Sequence, residues 1–313
     1  MVKFKSVTNS FIMEDKMKRR FLIAVLGLWV GMMSPLWALD KVPLPKKAVA
    51  GETVKDCALC PEMVGIPAGT FQMGSNESMG SNESDYEKPV HTVNVKAFYM
   101  SKYETTIAEY LACVQDGGCK PPEWLESGNK SNIHTGSDDY YKKAGMSENN
   151  KNHPITGVSW NDAKAYGVWL SKKTGKDYRL PTEAQWEYAC RAGSTGKYSF
   201  ENDASQLGNY GWYKENSGKT THPVGGKKPN AWGLYDMHGN VWEWLEDTWH
   251  SDYNGAPVDG SAWMAGGEQQ WHLIRGGSWG GRDDHEMRCA FRFRIDTTGR
   301  SSGGGFRLSK VTF

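Results

Sequence analysis

Six cysteines carry the clearest chemical signal in this sequence. In an oxidising compartment, cysteines close in sequence are expected to form disulfides, and the two that remain would then bond across a long loop. The expected pairs are Cys57 with Cys60, Cys113 with Cys119, and Cys190 with Cys289. The alternative for the first pair is half of a zinc site, although the sequence lacks a second Cys or His pair at the spacing of a zinc finger.

A second group with metal-binding chemistry is the run Asp283, Asp284, His285 and Glu286. Carboxylates and an imidazole that lie this close together can ligate a divalent cation. Such a run of charges is more typical of a solvated loop, so a metal site here is the alternative interpretation. No P-loop and no dinucleotide-binding glycine motif occurs in the sequence.

The N-terminal segment indicates export from a bacterial cell. A basic cluster at 16–20 precedes an uncharged run at 21–33, which is the order found in secretory signal peptides. That run is shorter than the roughly 20 apolar residues that a membrane span needs. We predict a signal peptide over 1–38 and no stable membrane span after its cleavage; the alternatives are an uncleaved anchor and a start at Met13 or Met17. The mature protein is then expected in the periplasm, at the cell surface or secreted.

Composition excludes several classes of protein. The 313-residue chain contains 36 Gly and 14 Trp, and so many Trp residues need a core, which excludes a disordered chain, a collagen and a coiled coil. The formal net charge is +1, and it becomes −3 when the six basic and two acidic residues of 1–38 are removed. A charge this close to zero argues against general nucleic-acid binding, so we expect no nucleic-acid partner.

Strands are predicted mainly in the first half of the chain. Residues 39–60 are predicted as a linker, and one α+β domain is predicted over 61–313. Within it, residues 62–72 have the pattern of a strand, a turn and a strand, and residues 90–104 alternate enough for further strands. After residue 200 the chain is rich in Gly, Trp, Asn and Asp with few periodic runs, which is typical of functional loops or of loops held by ions and disulfides.

Three helices are predicted from their capping signals. Thr106 with Glu109, and Thr182 with Gln185, have the spacing of capping boxes, and Asn161 is the expected cap of the helix between them. The buried faces are expected to hold Ile107, Tyr110, Leu111 and Val114 in the first helix, Ala165, Val168, Trp169 and Leu170 in the second, and Trp186, Tyr188 and Ala189 in the third.

Seven phrases occur in an order and spacing that resemble one protein family. They are IPAGTFQMGS at 66–75, KYETT at 102–106, HPITGVSW at 153–160, YRLPTEAQWEYACRAG at 178–193, PNAWGLYDMHGNVWEW at 229–244, IRGGSW at 274–279 and GGFRL at 304–308. The sequence is similar to the formylglycine-generating enzymes, also called sulfatase-modifying factors, over almost the whole of the expected mature chain. This resemblance implies a C-type-lectin-like α+β fold with little regular secondary structure.

That fold does not by itself determine function. The family includes copper oxidases that convert a sulfatase Cys to formylglycine, iron-dependent sulfoxide synthases, siderophore-maturation proteins and non-enzymatic binders. The copper oxidases hold Cu(I) through two Cys that follow the GGS phrase, because soft thiolates select this ion. The matching positions fall at Gly281 and near Glu286, so we do not expect copper. The resemblance also implies that Cys190 pairs with Cys289.

The resemblance implies a structural calcium site as well. Asp236, Gly239, Val241 and Glu243 match the ligand positions of that site in the family. Two carboxylates and two backbone carbonyls within so short a segment can wrap a hard cation. In the alternative interpretation Asp236 caps a turn and Glu243 pairs with a base on the surface. A second calcium site of the family, near Asn209, stays open.

Residues 279–307 correspond to the segment that some family members diversify through retroelements. Framework residues alternate there with positions of variable type, and the resemblance implies that the arginines brace the loop by bidentate hydrogen bonds. The framework residues are Arg288, Arg292, Arg294, Arg300, Phe306 and Arg307. The predicted ligand-binding residues are Trp279, Asp283, His285, Phe291, Phe293 and Ile295. The alternative for Phe291 and Phe293 is a place in the core.

These observations predict an exported protein of this family that lacks the copper cysteines. We expect it to bind an unknown protein or small molecule, or to assist maturation, through the surface formed by residues 279–303. One alternative is a formylglycine-generating-enzyme-like oxidoreductase, or another protein-modifying enzyme, with an altered metal site. A second alternative is a retroelement-diversified, lectin-like surface binder.

Overall fold

The computed structural model describes residues 50–76, 86–281 and 284–311, which belong to a unit over Pro45–Phe313. The predicted signal peptide and Asp283 lie outside the described residues. Folded structure begins earlier than predicted, because a first strand lies within the range assigned to a linker. In the described part of the chain, the helices are too short or too polar to cross a membrane.

Short strands form three sheets. They are β1 Thr53–Lys55, β2 Glu62–Ile66, β3 Gly69–Met73, β4 His91–Val95, β5 Phe98–Ser101, β6 Tyr178–Arg179, β7 Trp242–Trp249, β8 Glu268–Arg275, β9 Phe293–Asp296, β10 Gly304–Gly305 and β11 Ser309–Val311. The strand orders are β1-β2-β5-β11-β6 and β10-β7-β8-β9, and β3 pairs with β4. The last strand, β11, lies between β5 and β6 and is antiparallel to both, so the C-terminal segment is built into the centre of the fold.

The helices are equally short. They are α1 Ile107–Gln115, α2 Tyr140–Lys143, α3 Trp160–Thr174, α4 Glu183–Arg191 and α5 Leu207–Tyr210, with 3-10 turns at Glu123–Leu125, Ala204–Gln206 and Asp284–Met287. Both predicted capping boxes are confirmed, since Thr106 accepts from the Glu109 amide and Thr182 from the Gln185 amide. The mixture of helices and strands confirms the predicted α+β class.

Two predictions for α3 are wrong. Its cap is Ser159 and not Asn161, because Ser159 and Asp162 form the reciprocal capping box and the helix begins at Trp160. The start of the helix sets its buried face, which holds Tyr166 and Leu170 at four-residue spacing. Val168 consequently points to solvent, with 47% of its surface exposed.

Two hydrophobic clusters form the core. In the first, α1 and α3 pack with Phe306 and Leu308 of the C-terminal segment, both of which are fully buried. In the second, Trp186 of α4 packs against residues of β4, β5, β7 and β8. Burial of each large apolar side chain stabilises the fold by about 1.5–3 kcal/mol. The C-terminal segment, by which we mean residues 288–311, is therefore a part of the core and not an appended tail.

Three disulfides are present. They join Cys57 to Cys60, Cys113 to Cys119, and Cys190 to Cys289, which are the predicted pairs. Because the sequence contains six cysteines, none remains as a free thiol. The bond between Cys190 and Cys289 spans 99 residues and attaches α4 to the C-terminal segment.

Candidate ligand-binding groove

Buried arginines anchor the C-terminal segment to acids from distant parts of the chain. Three of them make bidentate pairs, with N–O distances between 2.6 and 3.0 Å. The pairs are Arg288 with Glu87, Arg292 with Glu183, and Arg307 with Glu243. Arg300 is less buried and bridges Asp162 and Glu126. Arg294 instead lies over the Trp249 ring, 4.7 Å from its centroid. The predicted bidentate bracing is thus observed for three arginines.

Glu183 is the centre of this buried ionic network. Its carboxylate accepts hydrogen bonds from Arg292, from Arg275 of β8 and from the Tyr253 hydroxyl. Burial alone would raise its pKa, but Arg292 and Arg275 together hold the pKa of Glu183 below its usual value. A fully buried carboxylate is therefore kept ionised by two cations, which in turn need it to remain in place.

Between the arginines, the same segment turns apolar side chains to the opposite side. Phe291, Phe293 and Ile295 line a groove of about 480 Å³. Trp242 of β7 lies between the two phenylalanines, with ring centroids 5.9 Å from Phe291 and 6.3 Å from Phe293. Tyr140 completes the aromatic lining, and its hydroxyl accepts from the Ser302 amide at 3.2 Å. Small residues and the side chain of Glu286 line the remainder.

The structure separates the predicted ligand-binding residues into two sets. Phe293 is 46% exposed and Phe291 only 8%, so the prediction of a surface fits Phe293 and the core alternative describes Phe291, although both reach the groove. Trp279 stabilises the backbone beside the groove, because its indole nitrogen donates to the Ser302 carbonyl at 3.0 Å. His285 accepts from Arg288 at Nδ1 and packs edge-on against Phe291. Asp283 is not among the described residues.

Sequence reasoning missed Tyr140 and Trp242. Trp242 lies in the phrase that carries the calcium prediction, and it alternates with Glu243, which points inward from the same strand. That alternation is a usable signal, because successive strand residues face opposite sides. Tyr140 belongs to a four-residue helix in a long polar stretch, where no periodic pattern marks it.

The groove includes the two positions that the family resemblance matches to the copper thiols of the oxidases. Gly281 and Glu286 both line it. A side chain added at Gly281 would meet the Met287 methyl group and Glu286, so a thiol there would require both neighbours to move. All six cysteines are bonded elsewhere. In the described part of the chain, the only close group of three Cys, His or acidic side chains is Cys190, His238 and Cys289, whose sulfurs are already joined.

Residues 276–280 (GGSWG) spell the pattern of a serine nucleophile elbow. Ser278 lines the groove but accepts a hydrogen bond from the Gly280 amide at 3.3 Å. A 3-10 turn and not a helix follows it. The strand–turn–helix context that exposes such a nucleophile is therefore missing among the described residues around Ser278.

The two predicted calcium carboxylates differ in their partners. Both oxygens of Glu243 are used, since Arg307 donates to each at 2.7 Å and the Trp186 indole donates at 2.8 Å. Asp236 accepts from the Gly225 amide through Oδ2, whereas its buried Oδ1 has no hydrogen-bond partner among the described residues. Glu243 is thus paired with a base, but that base is the fully buried Arg307 and not the surface residue of the alternative interpretation.

Buried negative charge is in excess around this loop. Glu104 accepts from the Asn240 side chain and the Val241 amide, and burial together with Asp236 and Glu243 raises its pKa well above the usual value. Burial raises the pKa of Asp236 to about 6. Three carboxylates therefore share one arginine, Arg307. The unpartnered Asp236 oxygen and the surplus charge fit a hard divalent cation at Asp236.

Comparisons with known proteins agree with this fold. A family model described as the sulfatase-modifying factor enzyme 1-like domain matches residues 49–311. The structure of PvdO from Pseudomonas aeruginosa is similar with a TM-score of 0.70 and 37% identity, over 85% of this chain and 99% of that one. The formylglycine-generating enzyme of Mus musculus is 30% identical over 287 residues, covering 79% of this chain and 74% of the enzyme.

A further relative is longer than this chain. The serine/threonine-protein kinase pkn1 of Chlamydia caviae is 32% identical over 266 residues, which cover 83% of this chain but 39% of the kinase. The chain thus spans about two fifths of the length of that relative. With the family model matching most of its residues, the chain belongs to the sulfatase-modifying factor family and has the fold of the formylglycine-generating enzymes.

Proposed function

We propose that this protein is a ligand-binding or accessory maturation member of the family, which holds its ligand in the aromatic groove and does not perform copper-dependent oxidation. One observation carries the proposal. The two positions that would supply copper thiols, Gly281 and Glu286, line the groove as a glycine and a carboxylate. Without soft ligands the groove has no means to select Cu(I), but it keeps the shape of a binding site.

The lining defines the class of ligand. Tyr140 and Phe293 are 49% and 46% exposed, so two aromatic rings face solvent on a surface where large apolar side chains are otherwise rare. Aromatic residues of this kind dominate binding anchors because they supply area with few rotatable bonds. The volume of the groove falls in the range of small-molecule sites. The expected ligand presents a flat apolar group, from a peptide or a small molecule, together with a polar group that reaches Glu286.

Two measurements test this function. Purified mature protein should contain no copper and should form no aldehyde on a sulfatase-type Cys peptide when copper and oxygen are supplied. The neutral probe N-phenyl-1-naphthylamine should bind saturably, and Phe293→Ala should weaken its binding at least fivefold. Val168→Ala, at an apolar residue of similar exposure outside the groove, should have no effect. Aldehyde formation, or equal effects of the two variants, would contradict the proposal.

We propose in addition that the loop at Asp236 binds a structural calcium ion. Asp236 supports this role better than Glu243, whose carboxylate Arg307 already holds. Asp236→Asn is the cleaner test, because Glu243→Gln would weaken the fold through Arg307 even without calcium. Wild-type protein should melt several degrees lower in a chelator, and Asp236→Asn should lose that difference. An unchanged wild-type melting curve with chelator would refute calcium binding.

We also propose that the protein works in the periplasm or at the cell surface. The support is the three disulfides, since such bonds persist in oxidising compartments. Cell fractionation with N-terminal sequencing should find the chain outside the cytoplasm and beginning near residue 39. A full-length chain in the cytoplasmic fraction, with its cysteines reduced, would overturn this localisation.

A further inference from the structure

The disulfide between Cys57 and Cys60 differs from the bond between Cys190 and Cys289 in its exposure. Cys190 and Cys289 are both fully buried. Cys60 is fully buried too, but Cys57 is only partly buried and is followed by exposed Ala58 and Leu59. Cys57 is thus the more exposed residue of the short bond, and this difference directs an attacking thiolate to Cys57.

Opening this bond would cost the fold little. In the chain-entropy account a disulfide stabilises more as its loop lengthens, from ~3 kcal/mol for 15 residues to ~4.7 kcal/mol for 100. Cys57 and Cys60 are three residues apart, whereas the bond from Cys190 spans 99. The turn is also held by a hydrogen bond from the Cys60 amide to the Cys57 carbonyl, and its flanking strands β1 and β2 pair with each other. The turn can therefore persist after reduction.

Positive charge gathers beside the same turn. The carboxylate of Asp56, next to Cys57, accepts hydrogen bonds from Nζ of Lys176 at 2.6 Å and from Nζ of Lys310 at 2.8 Å. The Tyr178 hydroxyl also donates to it. Two ammonium groups thus lie at the carboxylate next to Cys57, and a second carboxylate, Glu52, accepts from the nearby Tyr99 hydroxyl. Nearby cations favour the thiolate form of a cysteine, which is the form that leaves and attacks in disulfide exchange.

We propose that Cys57 and Cys60 form a thiol–disulfide exchange site that oxidises a dithiol on a protein or peptide. A thiolate of the partner attacks Sγ of Cys57, the Cys57–Cys60 bond breaks, and Cys60 leaves as a thiolate that takes up a proton. The partner's second thiolate then attacks the mixed disulfide and releases Cys57. The partner loses two electrons and gains a disulfide, while this chain gains two thiols. The exposed Leu59 gives an apolar contact for the partner beside the attacked sulfur.

The first test follows each disulfide separately. Wild-type protein is mixed with one equivalent of a reduced synthetic peptide containing a Cys-Gly-Gly-Cys dithiol, quenched in acid, alkylated and digested for mass spectrometry. We expect Cys57 and Cys60 to become alkylated at least tenfold faster than Cys190 and Cys289, with peptide disulfide formed in equal amount. Opening of Cys57–Cys60 no faster than that of Cys113–Cys119 would overturn the proposal.

Variants identify the attacked sulfur and separate exchange from folding. With the oxidised, disulfide form of the same peptide, which tests the exchange in reverse, Cys60→Ser should trap a mixed disulfide on Cys57. With the reduced peptide, the double variant Cys57→Ser with Cys60→Ser should lose transfer and keep its melting temperature within a few degrees. Peptide attached mainly to Cys60 in Cys57→Ser, at an equal or higher rate, would contradict the mechanism. A double variant that cannot fold would show the bond to be structural and would also contradict it.

A charge variant tests the cations. Lys176→Gln should slow opening of the Cys57–Cys60 bond severalfold, because it removes one of the two ammonium groups at the turn. Lys173→Gln is the matched control, since it has similar exposure and pairs instead with Asp116. Equal rates of opening in the two variants would contradict the proposed role of the lysine charges.

Discussion

The C-terminal segment carries two sets of side chains that behave in opposite ways. Its arginines point inward, where Arg288, Arg292 and Arg307 are almost completely buried and paired with acids as far as 201 residues away. Its apolar residues Phe293 and Ile295 point outward into the groove. The inward set is charged and the outward set is apolar, the reverse of the usual arrangement in a globular protein.

The difference shows how this fold separates stability from recognition. Each inward arginine makes several charge-assisted hydrogen bonds, so the backbone between two of them is held without help from the residues in between. The exposed ring of Phe293 can then be changed at little cost to the fold, whereas Phe291 of the same groove is buried. This separation favours a binding role, and it also suits a surface binder whose groove residues are diversified.

The largest loss of stability is expected when the buried arginine pairs lose the carboxylate of Glu183, as in Glu183→Gln. The substitution keeps the size of the side chain but leaves Arg275 and Arg292 without their shared negative charge. Removing one partner of a buried ion pair costs about 3–5 kcal/mol, so we expect a loss of that size in the free energy of unfolding by urea. Glu126→Gln, at the more exposed partner of Arg300, should cost less than about 1 kcal/mol. Equal losses in the two variants would mean that burial does not set the strength of these pairs.

An effect of intermediate size on the free energy of unfolding is expected from the titration of Asp247. Its carboxylate accepts hydrogen bonds from the Glu183 and Trp263 amides. Burial and the charge of Glu183 raise the pKa of Asp247 to about 7. The folded protein therefore binds this proton more readily than the unfolded chain does. Stability from this group is present at low pH and is lost as the pH rises from about 4 to 7.

Between pH 5 and pH 8, Asp247 should account for a fall of about 1–3 kcal/mol in the free energy of unfolding. Asp247→Asn should remove that part of the pH dependence, while its lost hydrogen bond lowers stability at pH 5. Asp259→Asn is the control, because the Ser261 contacts lower the pKa of this exposed carboxyl and it does not titrate in this range. Parallel pH curves for wild type and Asp247→Asn would show that Asp247 is ionised throughout.

The smallest effect on stability is expected from the outward set. Phe293→Ala removes a ring that is 46% exposed, so the free energy of unfolding should change by less than about 1 kcal/mol while binding of the groove probe weakens at least fivefold. Phe306→Ala, at a fully buried ring of the same segment, should cost about 3–5 kcal/mol. If Phe293→Ala destabilised the fold as much as Phe306→Ala, the groove would be part of the core.

Local patterns accounted for much of the architecture. The capping boxes at Thr106 and Thr182, the disulfide pairs and the ordered family phrases all depend on residues that are close in sequence or on their order, so they can be found without coordinates. Asn161 was the wrong cap because two polar residues competed at the start of α3, and only Ser159 has the partner three positions on.

The residues of the groove could not all be found in this way. Tyr140 and Trp242 come from parts of the chain about one hundred residues apart and meet Phe291 and Phe293 only after folding. Likewise, Glu243 was expected to be free for calcium, but its oxygens are taken by Arg307, which lies 64 residues further along the chain. No local pattern reveals such competition for a carboxylate.

The sequence by itself determined the family, the α+β class, the disulfide pairs and the absence of cysteine at Gly281 and Glu286, because each is encoded in residue types and short-range spacing. The tertiary structure decided which carboxylates are paired, that Asp236 keeps an unpartnered oxygen, and that Phe293 faces solvent while Phe306 does not. The physical reason is that burial and charge pairing depend on neighbours brought together by β11 and the arginine pairs, and these contacts exist only in the folded chain.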